Sequence, residues 1–308
     1  MRVLLLGATG FLGRHVNEAL ASEPEFEVVR HVHRASTDGD AIPLDLVAAD
    51  GDVADLVARA APDAVINCAG TTGDEARLEA LNVHLVERVL RAVRAAAPHA
   101  RVVQLGSSAE YGATPPGEPI SEATPAGPLS PYGASKLAAT RLVTTAIEGG
   151  LDCLILRIFN PIGAGMPPGS MPGNAARRLR EAIGSGSNSI SLGPLDDWRD
   201  FLAASDVGGA VVAAVRLTGS GGPVINIGRG EAIQVRELVR RLAAIAGFRG
   251  EVREDSAPSA RSSAVPWQLA DTTLARSLLG WGARRPVDDA LEELWRSTVG
   301  DDHGREAL

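Results

Sequence analysis

The stretch Gly7-Ala8-Thr9-Gly10-Phe11-Leu12-Gly13 follows the apolar run Val3–Leu6 near the start of the chain and opens a helical pattern at Leu12–Ser22. Glycines at this spacing let the backbone turn tightly and approach a pyrophosphate, which then lies at the positive end of the helix. A strand before the motif and a helix after it are the context that makes it specific. We therefore predict a dinucleotide site that includes Gly7, Thr9, Gly10, Phe11, Leu12 and Gly13.

Beyond this motif, the first 160 residues alternate short apolar runs with amphipathic stretches. Strands are predicted at Val3–Leu6, Glu27–Val32, Ala64–Asn67, Val102–Leu105 and Cys153–Arg157. Helices are predicted at Leu12–Ser22, Val53–Ala60, Glu75–Ala97 and Tyr132–Glu148. Near-continuous apolar runs are typical of strands buried on both faces of a parallel sheet. The pattern predicts an α/β fold with a Rossmann-type, doubly wound parallel sheet.

The regular alternation of apolar runs and amphipathic stretches ends after residue 160. Pro161–Gly173 is rich in Gly, Pro and Met and is predicted to be a loop. Further helices are expected at Asn174–Ile183, Val207–Leu217, Val235–Ala246 and Ala270–Leu279, with short strands at Ile190–Leu192 and Val224–Ile227. We expect a dinucleotide-binding domain at 1–160, completed by elements near 201–227, and a smaller substrate-binding lobe at 161–200 and 228–300.

The end of the second predicted strand bears on the choice of cofactor. A site selective for NAD usually carries an acid about 20 residues after the glycines, whereas this strand ends in His31-Val32-His33-Arg34. Arg34, with His33, is suited to pair with the 2′-phosphate of NADP. A solvated surface arginine is the alternative, and we favour NADP(H) over NAD(H).

Other segments are expected to line the same cofactor. Asp45 and Leu46 follow a third short apolar run and are placed to meet the adenine. Cys68, Ala69 and Gly70 follow the next strand and are expected to pass close to the nicotinamide ribose.

Tyr132-Gly133-Ala134-Ser135-Lys136 places a phenol and an ammonium on one face of a helix. A nearby ammonium lowers the pKa of a phenol and lets it exchange a proton near neutral pH. Lys136 is the only lysine of the chain, beside 29 arginines. A planar guanidinium does not replace a compact ammonium in such a pair. Ser107 follows a buried strand and is placed to hydrogen-bond the same substrate oxygen. We predict Ser107, Tyr132 and Lys136 as the catalytic residues.

Several motifs together resemble the extended short-chain dehydrogenases/reductases, the family of nucleotide-sugar epimerases, dehydratases and reductases. The matching stretches are the Asn82 helix, GATGFLG at 7–13, GSSAEYG at 106–112, SPYGASK at 130–136, LRIFNPIGAG at 156–165, WRDF at 198–201 and DTTLARSLLGW at 271–281. The resemblance implies that Lys136 also holds the nicotinamide ribose and that Asn82 belongs to the cofactor site. It implies substrate contacts at Asn160, Arg199 and Arg261, with Arg199 on the pyrophosphate. We also expect Ser108, Glu110 and Asn174 to contact the substrate.

The residues after Ser107 bear on the reaction. Dehydratases of the family carry an Asp-Glu pair directly after the catalytic residue, and this chain has Ser108 and Ala109 there. Since alanine transfers no proton, 4,6-dehydration is disfavoured. We expect NADPH-dependent reduction of a dTDP- or GDP-linked 4-keto-6-deoxyhexose. A nucleotide-sugar 4-epimerase is the alternative, and a non-catalytic dinucleotide-sensing regulator, which typically lacks the tyrosine or lysine, is a remote one.

Composition excludes other classes of function. The net charge of -8 argues against nucleic acid or an acidic membrane as a partner. No apolar run is long enough for a membrane span, and no spacing of His and Cys predicts a metal site. Cys68 and Cys153 are predicted to be buried thiols, which fits a cytoplasmic protein. The resemblance implies a homodimer formed through the helices that contain Asn82 and Tyr132.

Overall fold

The computed structural model describes residues 1–32, 41–43, 46, 50–73, 75–219, 224–255 and 265–298. Its strands are β1 (Arg2–Leu6), β2 (Glu27–Val32), β3 (Ala41–Pro43), β4 (Ala64–Asn67), β5 (Arg101–Ser107), β6 (Cys153–Ile158), β7 (Pro161–Ile162), β8 (Ser189–Ser191), β9 (Trp198–Asp200), β10 (Leu202–Ala203), β11 (Val224–Ile227), β12 (Ala232–Gln234) and β13 (Glu251–Arg253).

Seven of these strands form one parallel sheet in the order β11-β6-β5-β4-β1-β2-β3. Every residue of β4, β5 and β6 is buried, which explains their continuous apolar runs. Side chains alternate between the two faces: Val3 and Leu5 pack in one core cluster, Leu4 and Leu6 in another. The predicted Rossmann-type doubly wound sheet is confirmed.

Helices cover both faces of the sheet. The described helices are α1 (Phe11–Ala21), α2 (Asp50–Ala60), α3 (Glu75–Glu79), α4 (Leu85–Ala96), α5 (Pro131–Glu148), α6 (Met171–Ser185), α7 (Ala204–Arg216), α8 (Val235–Ile245), α9 (Thr273–Leu279) and α10 (Val287–Ser297). α1 and α7 contribute to the core on one face, and α2, α4 and α5 to the core on the other. Among the described helices, none combines the length and apolarity needed to cross a bilayer.

A third core cluster lies in the C-terminal part of the chain. It is built by α6, α8 and α10 together with short strands of two or three residues. The segment predicted as a helix at Ala270–Leu279 is helical only from Thr273, and its residues Ala270 and Ala275 pack in the core of the central sheet. We retain as a proposal the division into a dinucleotide-binding domain and a substrate-binding lobe.

The order of the strands decides where a ligand can bind. From β1 the chain moves outward to β2 and β3 and then returns to β4 on the other side of β1. Open α/β sheets bind ligands at such a switch point, outside the carboxyl ends of the strands. The glycine motif follows β1 and the segment Cys68–Gly70 follows β4, so both lie at this point.

Candidate active site

The glycine motif forms a close turn between β1 and α1. Gly7 has a φ of +73°, a conformation that side chains rarely adopt. A Cβ on Gly7 would lie 2.7 Å from the backbone nitrogen of Ala69, and one on Gly13 would lie 1.9 Å from the carbonyl oxygen of Gly7. These two glycines therefore let the loops after β1 and β4 and the start of α1 come together.

The first turn of α1 is arranged to receive an anion. Gly10 is the N-cap residue and provides no side-chain hydrogen bond, and the first turn carries no acidic residue. Backbone N–H groups of an uncapped first turn need a partner, and a phosphate supplies one. Thr9 and Gly10 are exposed, while Phe11 and Leu12 are half-buried beside them. These residues fit a dinucleotide diphosphate.

The loop after β4 contacts Asn82, which lies in a π-helical turn, Ala80–His84, between α3 and α4. The sequence predicted one continuous helix here, and the widened turn corrects that prediction. Asn82 Oδ1 accepts from the backbone N–H of Thr71 at 2.9 Å, and its Nδ2 donates to the Thr71 carbonyl and to Ser135 Oγ, both at 3.0 Å. Asn82 therefore fastens the loop that follows Gly70 to α5.

Lys136 lies on the inner face of α5, beside the same loop. Its Nζ donates to the carbonyl oxygen of Leu105 at 3.1 Å, and the side chain is 8% exposed. A Cβ on Gly70 would lie 3.4 Å from Nζ and 2.9 Å from Asn82 Oδ1. The structure thus brings Gly70, Asn82 and Lys136 together. Tyr132 lies one turn earlier on α5 and is half-buried.

Ser107 ends β5 and caps the short 3₁₀ turn Ser108–Glu110. Its Oγ accepts a hydrogen bond from the backbone N–H of Ala109 at 3.2 Å. Since a hydroxyl has one proton and two lone pairs, this contact leaves the proton of Ser107 to donate elsewhere. α5 begins against the same turn, because a Cβ on Gly133 would lie 2.5 Å from the carbonyl oxygen of Ala109.

The structure corrects the expectation for Glu110. Its side chain is 0% exposed, and its carboxylate receives hydrogen bonds from the Ser107 backbone, Thr140 and Arg157. Because both oxygens are used inside the fold, Glu110 does not face substrate, and we withdraw it from the proposed substrate contacts.

Ser108 and Asn160 are brought together by Gln268, which the sequence did not single out. Gln268 Oε1 accepts from Ser108 Oγ at 3.4 Å and from Asn160 Nδ2 at 3.3 Å, and Gln268 is 5% exposed. Asn160 Nδ2 also donates to the carbonyl oxygen of Asp200 at 3.1 Å. A side chain that joins segments 160 residues apart leaves no local signal in the sequence.

Arg199 lies on β9 and is 8% exposed. Its Nη2 donates to Asp197 Oδ2 at 2.9 Å, and burial lowers the pKa of its guanidinium against the opposing effect of Asp197. The next residue, Asp200, is fully buried and accepts from the backbone N–H groups of Arg229, Gly230 and Ala270. Burial raises the pKa of Asp200, while these hydrogen bonds lower it. Asp200 thus joins the Arg229–Gly230 segment to the segment at Ala270, a role that sequence reasoning missed.

Among the remaining predicted residues, Asn174 and Leu46 belong to the described part of the chain. Asn174 lies on α6, where its Oδ1 accepts from Arg177 Nη2 at 2.9 Å, and within the described part of the chain no hydrogen bond links it to the other predicted site residues. Leu46 is buried. The predictions for His33, Arg34, Asp45 and Arg261 lie outside the described residues.

The profile of the NAD dependent epimerase/dehydratase family matches residues 3–228. The chain belongs to this family. The predicted class, an NAD(P)-dependent enzyme of the extended short-chain dehydrogenase/reductase type, is thereby confirmed.

Relatives match this family member along nearly its whole length. A dTDP-6-deoxy-L-talose 4-dehydrogenase (NAD(P)(+)) from Kitasatospora kifunensis is 39% identical over 96% of this chain and 94% of its own. A GDP-6-deoxy-D-mannose reductase from Pseudomonas aeruginosa is 30% identical over 97% and 98%. The structure of MoeE5 in complex with UDP-glucose and NAD is 29% identical, with a TM-score of 0.83 over 97% of this chain and 99% of that one.

Proposed function

We propose that this protein is a reductase of nucleotide sugars, which uses NADPH to reduce the 4-keto group of a dTDP- or GDP-linked 4-keto-6-deoxyhexose. The observation that carries the proposal is the 39% identity, over nearly the whole chain, to a 4-dehydrogenase of a dTDP-linked 6-deoxyhexose. Reduction of the 4-keto group is the reverse of that reaction. We favour the dTDP sugar for the same reason.

The arrangement around Ser107 fits a ketone substrate. A ketone oxygen accepts hydrogen bonds and donates none. The Ser107 oxygen already accepts from Ala109, which leaves its proton available to the ketone. We assign the proton that reaches this oxygen to the phenol of Tyr132. The bound nicotinamide supplies the hydride.

Lys136 supports both groups in this proposal. An ammonium has three donors, and one of them is used by the Leu105 carbonyl. The other two are left for the cofactor ribose, and the ammonium lies on the same face of α5 as Tyr132. We propose Ser108, Asn160 and Arg199 as contacts to the sugar nucleotide. Gln268 joins Ser108 to Asn160, and Asn160 donates to the backbone carbonyl of Asp200, the residue after Arg199.

Ala109 counts against a dehydratase, because a methyl group neither gives nor takes a proton where dehydratases of the family carry an acid. We propose NADPH as the preferred cofactor on the basis of Arg34, and a homodimer as the assembled state. A 4-epimerase is the second candidate, supported by the likeness to a structure that holds both UDP-glucose and NAD.

One experiment separates the two candidates. The purified protein is incubated with dTDP- and GDP-4-keto-6-deoxyhexoses and with UDP-hexoses, each with NADPH and with NADH, and products are identified by NMR. The reductase oxidises one equivalent of NADPH for each 4-keto sugar consumed. Interconversion of UDP-hexoses without net cofactor turnover establishes the epimerase instead.

A further inference from the structure

The carboxylate of Glu110 connects the two elements that carry the proposed catalytic groups. Its Oε1 accepts from the backbone N–H of Ser107, at the end of β5, at 2.8 Å. Its Oε2 accepts from the hydroxyl of Thr140 on α5 at 2.8 Å. Gly106 leaves room for this arrangement, because a Cβ there would lie 2.7 Å from Glu110 Oε1.

Thr140 lies on the same face of α5 as the proposed catalytic residues Tyr132 and Lys136. It follows Lys136 by one helical turn and Tyr132 by two, so the three side chains share one face of the helix. A bond from Thr140 to Glu110 therefore acts on the same face that presents the phenol and the ammonium. On the strand side, Glu110 binds the residue whose hydroxyl is proposed to contact substrate.

A hydrogen bond within the turn Ser108–Glu110 also orients the Ser107 hydroxyl. The Ala109 N–H donates to Ser107 Oγ while Glu110 holds the Ser107 N–H, which forms a capping box. Both the backbone and the side chain of Ser107 are therefore fixed by the same three-residue turn.

We propose that Glu110 is a positioning residue, which fixes the Ser107 hydroxyl relative to the Tyr132–Lys136 face of α5. The inference rests on the proposed function, since it takes these three residues as the catalytic groups. Arg157 balances the charge: its Nε lies 2.9 Å from Glu110 Oε2, and its guanidinium carbon lies 4.5 Å from the centre of the Tyr111 ring.

The test acts on Thr140, because removing Glu110 or Arg157 leaves an uncompensated buried charge that endangers the fold. Thr140→Val keeps the shape of the side chain and removes only the hydroxyl that donates to Glu110. Thr140→Ser restores the hydroxyl. Thr144→Val is the matched control: it makes the same change one turn later, where the hydroxyl donates to the helix's own carbonyl at Thr140.

Two readouts are measured. The first is kcat and KM, measured with the nucleotide sugar whose turnover is lost in Tyr132→Phe. In Thr140→Val we expect Ser107 to be held less firmly, so that kcat falls by about tenfold while KM changes by less than about twofold. A small displacement of a catalytic group slows the chemical step more than it weakens binding. Thr140→Ser and Thr144→Val keep the wild-type kcat. In a Ser107→Ala background, followed in single turnovers at high enzyme concentration, Thr140→Val causes no further loss.

The second readout needs no substrate. The backbone amide of Ser107 exchanges its hydrogen faster in Thr140→Val than in the wild type or in Thr144→Val, by about tenfold. A wild-type exchange rate in Thr140→Val, or an equal loss of kcat with and without Ser107, overturns the positioning role. If Tyr132→Phe abolishes no turnover, the proposed function fails, and the exchange rate still decides whether Glu110 holds Ser107 through Thr140.

Discussion

The ammonium of Lys136 donates a hydrogen bond to the carbonyl oxygen of Leu105, two residues before Ser107 on β5. This contact joins the inner face of α5 to the carboxyl end of the strand that carries Ser107. It also places the ammonium beside Gly70, in a position with 8% exposure. A planar guanidinium is larger than the compact ammonium that this buried position holds.

Lys136→Arg is therefore expected to impair the enzyme although it keeps the charge. The larger group must leave either the Leu105 carbonyl or the ribose site, and we expect kcat/KM to fall by about 100-fold. Steady-state kinetics with the best 4-keto sugar measure this. Arg141→Lys, an exchange in the opposite direction at an exposed position of the same helix, keeps wild-type kinetics. Retention of activity in Lys136→Arg contradicts the assigned role.

The chain contains two tyrosines, and they are expected to respond differently to loss of the hydroxyl. Tyr132→Phe removes the proposed proton donor and lowers kcat by about 10²- to 10⁴-fold, while cofactor binding, measured by fluorescence titration, is retained. Tyr111 is 1% exposed, and its hydroxyl donates to Asn226 Oδ1 at 2.7 Å. Tyr111→Phe leaves that buried acceptor unpaired and lowers the free energy of unfolding by about 1–3 kcal/mol, with kcat unchanged. If Tyr111→Phe lowers kcat and Tyr132→Phe does not, the assignment of Tyr132 is wrong.

The central sheet was predictable because both its faces are buried. Each strand of the sheet's centre is a continuous apolar run, and the turn glycines mark where β1 ends. The short strands β7, β9 and β12 carry no such signal, since two or three residues show no periodicity. The π-helical turn at Ala80–His84 is equally hard to predict, because the partners of Asn82 in it, Thr71 and Ser135, lie 11 and 53 residues away.

The site was predictable where its residues belong to local motifs, and not where they act across the chain. Ser107, Tyr132 and Lys136 follow from a strand end and a helical spacing of four. Asp200 and Gln268 act on segments far along the sequence, and nothing near them indicates their partners. Glu110 shows the opposite error: it was expected among the substrate contacts, whereas the fold turns its carboxylate inward.

Gly13 is expected to tolerate no side chain. A Cβ there would overlap the carbonyl oxygen of Gly7 at 1.9 Å, so Gly13→Ala forces α1 away from the glycine loop. We expect at least about tenfold weaker NADPH binding by fluorescence titration, together with a lower Tm. Gly184→Ala is the matched control, since Gly184 also lies in a helix but has no atom within 4 Å of the added Cβ. It is expected to stabilise the fold by about 0.5–1 kcal/mol. Unaltered cofactor binding in Gly13→Ala contradicts this account of the loop.

The two thiols are expected to be unreactive in the folded protein. Both cysteines are free: Cys153 is buried as predicted, whereas Cys68 is only half-buried. Desolvation raises the pKa of both thiols to about 12. The thiolate is the reactive form, so both groups stay protonated at pH 8, and reactivity rises only as the pH approaches 12. Iodoacetamide at pH 8, followed by mass spectrometry, is expected to label neither residue until the protein is unfolded. Rapid labelling of Cys68 in the native protein contradicts the raised pKa.

Arg34 is expected to decide between the two nicotinamide cofactors. It follows the strand end where NAD-selective sites carry an acid, and a guanidinium pairs well with the dianionic 2′-phosphate of NADP. Arg34→Ala therefore raises KM for NADPH by about 10-fold or more, the loss of one charge-assisted pair, and leaves KM for NADH nearly unchanged. NADH serves as the internal control, because it lacks the phosphate and shares every other contact. Unchanged KM values for both cofactors show instead that Arg34 lies in the solvent, and an equal increase in both shows that the cofactor preference has another source.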